Sequence, residues 1–279
     1  DTAMYGMQYL GAPEVWGAQL LGDNITIASP NSAAYSGNVA YWMGTDKFYF
    51  YDGTVKTLPC SVRSYVFNDF NFSQYDQVIA GTNERFDEIW WFYCSAGATQ
   101  NDRYVVYNYI QDIWYYGTLE RTAWLDSGLR DRPLAATYSY NLVNHEQGTD
   151  DNQTTTPAPI AANISSAQFD IEDGHQFAFI WRVIPDITFN GSTAASPAAT
   201  MTLLPLANSG AGYNSPLSEG GSNNGTITRS AVLPVEAFTQ QLNTRVRGRQ
   251  LAVKIESTEE GVTWQLGTPR IDMRADGRR

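Results

Sequence analysis

Residues able to do chemistry are few and scattered in this chain of 279 residues. There are two histidines, His145 and His175, and two cysteines, Cys60 and Cys94. Zinc sites need such ligands at short, fixed spacings, and neither histidine stands at that spacing from the other or from a cysteine. The sequence contains no phosphate loop, GxSxG elbow or HExxH pair. Carboxylates adjoin at Asp87-Glu88, Asp150-Asp151 and Glu259-Glu260. Adjacent residues on a strand point to opposite faces, so none of these pairs makes a ready acid–base dyad. The expectation is a protein without catalytic, metal-binding or cofactor-binding residues. Each cysteine lies in or beside an apolar run, where a thiol acts as a small hydrophobe; a bridge between the two is the alternative.

Arginine carries most of the positive charge, 15 of 18 basic residues. Its planar guanidinium suits carboxylate contacts better than lysine does. In TRVRGRQLAVKIES, Arg245, Arg247 and Arg249 share parity with the apolar Leu251, Val253 and Ile255. One strand cannot hold both sets on one face, so Gly248 is expected to mark a β-bulge that leaves the arginines as an exposed row. Such a row is either a solvated strand face or a contact with an acidic neighbour, for which a second subunit is the candidate. Two other features weigh less. The run from Ser257 to Trp264 resembles the Asp-box hairpin of sialidase-type propellers, with Glu259 in place of the Asp, and is expected to be a glycine turn entering a strand. The many Trp and Tyr residues could stack on sugars or bases, but Trp90 and Trp91 point to opposite sides of one strand, which favours core packing.

The element that must position everything else is the stretch from Arg85 to Gly117. Aromatic and β-branched runs at Glu88 to Cys94, Arg103 to Tyr109 and Ile113 to Tyr116, separated by Gly, Asn and Asp turns, predict an antiparallel meander. The layout recurs 49 residues upstream, where Trp42 answers Trp91 and Phe48 to Tyr51 answers Tyr104 to Tyr107. A weaker third copy runs from Pro133 to Gly148, with strands at Ala135 to Tyr138 and Leu142 to His145. A repeat of about 50 residues with several short strands marks propeller blades. Between the copies, Val62, Tyr65, Val66 and Asp69 follow helical spacing and predict one short helix.

The fold expected is all-β: part of a β-propeller over residues 1–148, a linker at 149–159 within the apolar-poor stretch Gln147 to Pro159, and a β-sandwich-like domain over 160–279. Its strands are expected at Ala167 to Ile171, Phe177 to Ile184, Thr200 to Leu204, Gly225 to Val232, Gln250 to Glu256, Val262 to Leu266 and Arg270 to Arg274. Phe177, Phe179, Trp181 and Val183 are expected on one face, and Val262, Trp264 and Leu266 on another. The Gly/Ser/Asn-rich segment Ala207 to Asn224 reads as a loop. The N-terminal stretch alternates at Met7, Tyr9, Ile25 and Ile27, with turns at Gly11 to Pro13 and Gly22 to Asn24. It starts without Met inside a strand-like pattern, and since propellers close with at least about four blades, further blades upstream are expected.

Charge and hydropathy narrow the function. The net charge is −11, and residues 1–150 hold 17 acidic against 8 basic residues, which disfavours gripping duplex DNA through its phosphates. No run of 18 apolar residues exists, so no membrane span is expected.

The segment EIWWFYCSAGATQNDRYVVYNYIQDIWYYG, the run HEQGTDD and the terminal RGRQLAVKIESTEEGVTWQLGTPRIDMRADGRR resemble the C-terminal half of tail nozzle proteins of short-tailed bacteriophages, also called tail tubular protein B or packaged-DNA stabilisation protein. The resemblance is strongest over residues 85–148 and 244–279. It implies a virion tail component without catalytic residues, assembled as a ring, usually of six subunits. Such a ring adjoins the portal-side and adaptor proteins, retains packaged DNA and passes it at infection. The arginine row would then serve contacts between subunits. The alternatives are a carbohydrate-binding or carbohydrate-active propeller at the host surface, working through exposed aromatics such as Tyr115 or Tyr116, and a generic interaction scaffold.

Overall fold

The aromatic alternation between Arg85 and Gly117 folds into the meander it predicts. The computed structural model describes residues 2–154, 156–171, 174–207 and 230–277, and the chain divides into two compact units, Asp1–Gln147 and Gly148–Arg279. In the first unit, a hairpin of β1 (Ala3–Tyr9) and β2 (Trp16–Asp23) precedes a four-stranded meander of β3 (Ala33–Ser36), β4 (Val39–Met43), β5 (Phe48–Tyr51) and β6 (Val55–Leu58). Helix α1 (Arg63–Asn68) follows at the predicted place and buries Val66. The second meander is β7 (Ile79–Asn83), β8 (Glu88–Tyr93), β9 (Arg103–Asn108) and β10 (Ile113–Thr118). The third sheet has three strands, β11 (Ala123–Leu125), β12 (Leu134–Ala136) and β13 (Leu142–Asn144). The first of these lies in a stretch too short and mixed in composition to read as a strand from sequence.

The sheets stack through aromatic seams. Tyr41, Met43 and Phe48 of the first meander meet Ile89, Trp91, Tyr93 and Tyr107 of the second. On the other side of β8, Trp90 and Phe92 meet Trp124 of β11. All six residues of β8 are buried, so its alternation serves two cores at once. Trp42 and Trp91 occupy the same position in their meanders, one residue from the seam-forming Tyr41 and Trp90. Backbone and indole bonds hold the first strands together: Ala80 N–H donates to Asn31 O at 2.7 Å, and the indoles of Trp91 and Trp124 donate to Ser32 O at 3.0 Å and Thr82 O at 2.7 Å. Propeller blades also stack face to face in this way; the described residues form three stacked antiparallel sheets and do not close a ring.

Residues 149–154 and 156–159 belong to the second unit, contrary to the linker read from their composition. β14 (Asp150–Asp151) pairs with β15 (Ala158–Pro159), and Asp150 Oδ1 accepts the Gly261 N–H at 2.6 Å. The carboxylate satisfies a turn amide, which composition alone does not reveal. Then come β16 (Ala162–Ser165), β17 (Phe169–Asp170), β18 (Ala178–Ile184), β19 (Ile187–Thr188), β20 (Ala198–Leu206), β21 (Ala231–Glu236), β22 (Leu242–Gly248), β23 (Gln250–Ser257), β24 (Gln265–Leu266) and β25 (Arg270–Ala275). One sheet runs β16-β23-β20-β21 with β17 also on β23, and a second runs β22-β18-β25. Met201, Leu203, Leu251 and Ile255 of the first share a core with Ile180, Val183 and Val246 of the second, the arrangement of a β-sandwich. Val262, Trp264 and Leu266 pack against this core, as expected. Most of the loop read at Ala207 to Asn224, and residues 225–229 of the strand read at Gly225 to Val232, lie outside the described residues.

Two expectations of register are corrected. The β18 ladder shifts between Ile180 and Arg182 on both sides, so the bulge at Trp181 resets the alternation. Phe179 and Trp181 therefore face outward while Val183 turns into the core. At Gly248 no bulge interrupts a single strand: β22 ends there in one sheet and β23 begins at Gln250 in the other. A side chain at Gly248 would sit 2.8 Å from Pro205 Cβ and 2.9 Å from Gln250 O, so only glycine fits this crossing.

The double-sided burial of β8 makes Trp91 and Gly81 the sensitive points of the first unit. Trp91→Ala is expected to cost about 3–5 kcal/mol in chemical denaturation. A Cβ on Gly81 would lie 2.1 Å from the Trp124 ring, so Gly81→Ala is expected to cost about 1–3 kcal/mol. A midpoint unchanged in either variant would show that the seams are not closed as described.

Candidate functional site

The three arginines singled out by parity end up on the outer side of the β22-β18-β25 sheet, around a row of aromatics. Register places Phe179 opposite Arg247 on one neighbour and Arg274 on the other. The Arg274 guanidinium lies 5.3 Å from the Phe179 ring centre, while Arg247 and Arg249 lie 4.0 and 4.7 Å from that of Phe177. Each such contact stabilises by about 0.5–1 kcal/mol where water reaches it. Arg247 also donates from Nε to Asp276 Oδ2 at 2.5 Å and from Nη2 to the Asp276 carbonyl at 3.1 Å.

The row is therefore not uniform. Arg245 is exposed, whereas Arg247 and Arg249 are half-buried, and Arg249 lies past the end of β22, where its N–H donates to Leu206 O at 2.8 Å. Arg245 makes no ion pair with another described residue and borders an open depression of about 370 Å³ between Ser230–Val232 and Asn243–Thr244. Among the described residues this face offers exposed Arg245 and Arg270 without an ion pair beside an arginine–aromatic ladder, which suits a carboxylate partner.

A second polar assembly, in the first unit, is one that sequence reading missed. Glu88, buried at the start of β8, accepts from the Trp90 indole at 2.9 Å, from Asn83 Nδ2 at 3.3 Å and from the Tyr115 hydroxyl. The same Asn83 amide donates to Glu146 Oε1 at 3.2 Å. Two carboxylates 58 positions apart thus share one donor, and only the third sheet's return brings them together. Partial burial, then the neighbouring Glu88 charge, raise the Glu146 carboxyl above its ordinary range. Burial and the Glu88 bond likewise push the Tyr115 hydroxyl far up. Tyr115 is half-buried and tied to Glu88, so it is not the exposed aromatic expected; Tyr116 is 46% exposed and stacks on Tyr65 at 3.9 Å.

The remaining candidates find local partners. Arg121 donates to His145 Nε2 at 2.8 Å beneath the Trp124 ring. Cys60 and Cys94 are free thiols, each pushed up to about 11 by burial. In the Asp-box-like run, the Trp264 indole donates to Ser257 Oγ at 3.1 Å, so the turn closes on itself. Among the described residues no group of three His, Cys, Asp or Glu side chains could hold a metal ion.

A carboxyl with a raised folded pKa opposes folding when charged. That penalty is present above the folded value and disappears as pH falls below the unfolded value. Glu146→Gln is therefore expected to melt at a higher temperature than the parent at pH 7, with the difference shrinking toward pH 4. Equal differences at both pH values in scanning calorimetry would exclude this coupling. No protein-family model matches the chain, and no curated protein matches it.

Proposed function

We propose that this chain is a structural subunit of a bacteriophage tail nozzle, assembled with copies of itself as a ring around a passage for DNA. The observation that carries this reading is the exposed apolar surface of the first unit. Tyr5, Met7, Tyr9, Trp16 and Leu20 on the β1–β2 hairpin are each at least half exposed, as are Leu125 and Leu142 on the third sheet. A monomer rarely leaves contiguous apolar sheet faces to water, and subunits of assemblies do so because a neighbour covers them. The resemblance of residues 85–148 and 244–279 to nozzle proteins supports the same role.

The charge is compatible with a conduit. A net charge of −11 repels phosphates, and a wall that does not bind DNA lets it slide. The exposed Arg245 is the natural contact for a carboxylate on an adjoining subunit or on a portal-side or adaptor protein. A carbohydrate-binding propeller is the second reading, favoured by the exposed Tyr65–Tyr116 stack.

Negative-stain images are expected to show rings of one size, with no glycan bound or cleaved. Arg245→Glu is expected to weaken assembly at least about tenfold, while its folding free energy stays within about 0.5 kcal/mol of the parent. Arg247→Glu is expected to melt earlier, since it loses Asp276 and Phe177 together. Unchanged rings from Arg245→Glu would remove this face from the interface, and a monomer that binds glycans through Tyr116 would replace the reading.

A further inference from the structure

Charge in the second unit is sorted by sheet. Its described residues include six arginines, Arg182, Arg245, Arg247, Arg249, Arg270 and Arg274, and all lie in or beside the β22-β18-β25 sheet. The same three strands hold one carboxylate, Asp272, and Asp276 follows β25. These two are taken by Arg182 and Arg247. A chain of charge −11 thus carries one strongly positive face.

The half of that face toward β25 combines cations with an open ring. Ile271 and Met273 pack on the core, so Arg270, Asp272 and Arg274 point outward. Arg270 and Arg274 are exposed and make no ion pair with another described residue. Asp272, between them, is held by Arg182, and Asp186 beyond the end of β18 accepts the Thr268 N–H at 2.7 Å. The Arg274 guanidinium lies against the Phe179 ring, which fixes its position while its N–H groups keep no described acceptor. On the central strand the bulge adds an outward residue: Trp181 is skipped by both neighbouring ladders and is 39% exposed. Bulges re-aim side chains in this way.

Positioned guanidiniums around an open indole supply what an unpaired nucleic-acid strand needs, charge for its phosphates and a flat ring for a base. A duplex keeps its bases stacked away from the indole, and an acidic peptide would use the guanidiniums alone. The overall negative charge acts at long range and is screened over about 10 Å at about 0.1 M salt, so the local face decides the contact. We propose that the β18–β25 half of this sheet binds single-stranded nucleic acid, with Arg270 and Arg274 on its phosphates and Trp181 under a base. The inference is independent of the ring reading, in which Arg245 serves the β22 edge on the opposite side of the sheet.

The test is fluorescence anisotropy of the full chain with a labelled oligo(dT) of about 12 nucleotides, a duplex of the same length and a labelled poly-glutamate. Oligo(dT) is expected to bind at least about tenfold tighter than the duplex, and poly-glutamate not at all. Arg270→Ala with Arg274→Ala is expected to weaken oligo(dT) binding at least about tenfold and to flatten its log–log salt slope by about 1.4. Trp181→Ala is expected to weaken it about five- to a hundredfold at unchanged slope. Lys47→Ala with Lys56→Ala, which removes two cations from the first unit, is expected to leave the affinity unchanged. No oligo(dT) binding at about 50 mM salt, or a duplex bound as tightly, would overturn the proposal. Poly-glutamate bound as tightly would overturn it in favour of an acidic protein partner. Undiminished binding by either the Arg270 and Arg274 variant or the Trp181 variant, with parent-like far-ultraviolet circular dichroism, would overturn it as well. The comparison of ligands on the parent chain decides even where a variant fails to fold.

Discussion

Strand β8 has no solvent side, and that constraint organises the first unit. With Trp91 and Tyr93 turned to one seam and Trp90 and Phe92 to the other, a sheet must lie against each face. Both indoles must also find acceptors, since a buried unpaired N–H costs about 1–3 kcal/mol. Trp91 finds the carbonyl of Ser32 and Trp90 the carboxylate of Glu88. The first acceptor lies in the segment leading into the preceding sheet. The second is a buried carboxyl group whose oxygens also accept from Asn83 and Tyr115. Aromatic packing thereby fixes where polar groups must be, and Gly81 supplies the flat backbone on which Trp124 can lie.

The sandwich meets a related demand with different means. Its chain must pass from one sheet to the other while keeping apolar residues inward, and it does so at Gly248, Arg249 and Gln250. Leaving β22 with Val246 buried and entering β23 with Leu251 buried changes parity without strain inside either ladder. The outward positions just before this crossing fall to arginines. They are held down by Phe177, whose ring accepts Arg247 and Arg249, and by Asp276 from the end of β25. The arginine face is thus partly a device for stiffening a corner, and Arg245 stands outside these contacts.

Local signals were legible in the sequence and long-range ones were not. Period-2 aromatic runs and glycine turns locate the two meanders, and Trp42 and Trp91 set the repeat because each occupies the same position in its sheet. The spacing of Val62, Tyr65 and Val66 locates α1. The parity break near Gly248 was visible, yet a bulge and a change of sheet produce the same pattern; only the partners of β22 and β23 separate them. The bulge at Trp181 has no sequence mark, since an aromatic alternation that continues through it looks regular. Asp150 reads as a linker residue because its partner, Gly261, lies 111 positions away. The Glu88–Asn83–Glu146 cluster has no sequence mark for the same reason: the two carboxyl groups are 58 positions apart, and the return of the third sheet brings them together.

Electrostatics and apolar burial act in opposite directions on any association of these chains, and salt separates the two. Copies that each carry a charge of −11 repel one another at distances beyond contact. At about 0.1 M salt that repulsion is screened over about 10 Å, whereas burial of Met7, Trp16 or Leu142 against apolar partners is not screened at all. A contact through Arg245 and a carboxylate weakens over the same range of salt. An assembly held mainly by the apolar sheet faces should therefore tighten as salt rises, and one held mainly by the arginine face should loosen. In an assembly of the first kind the arginine face would set register and orientation, and the sheet faces would supply the binding energy.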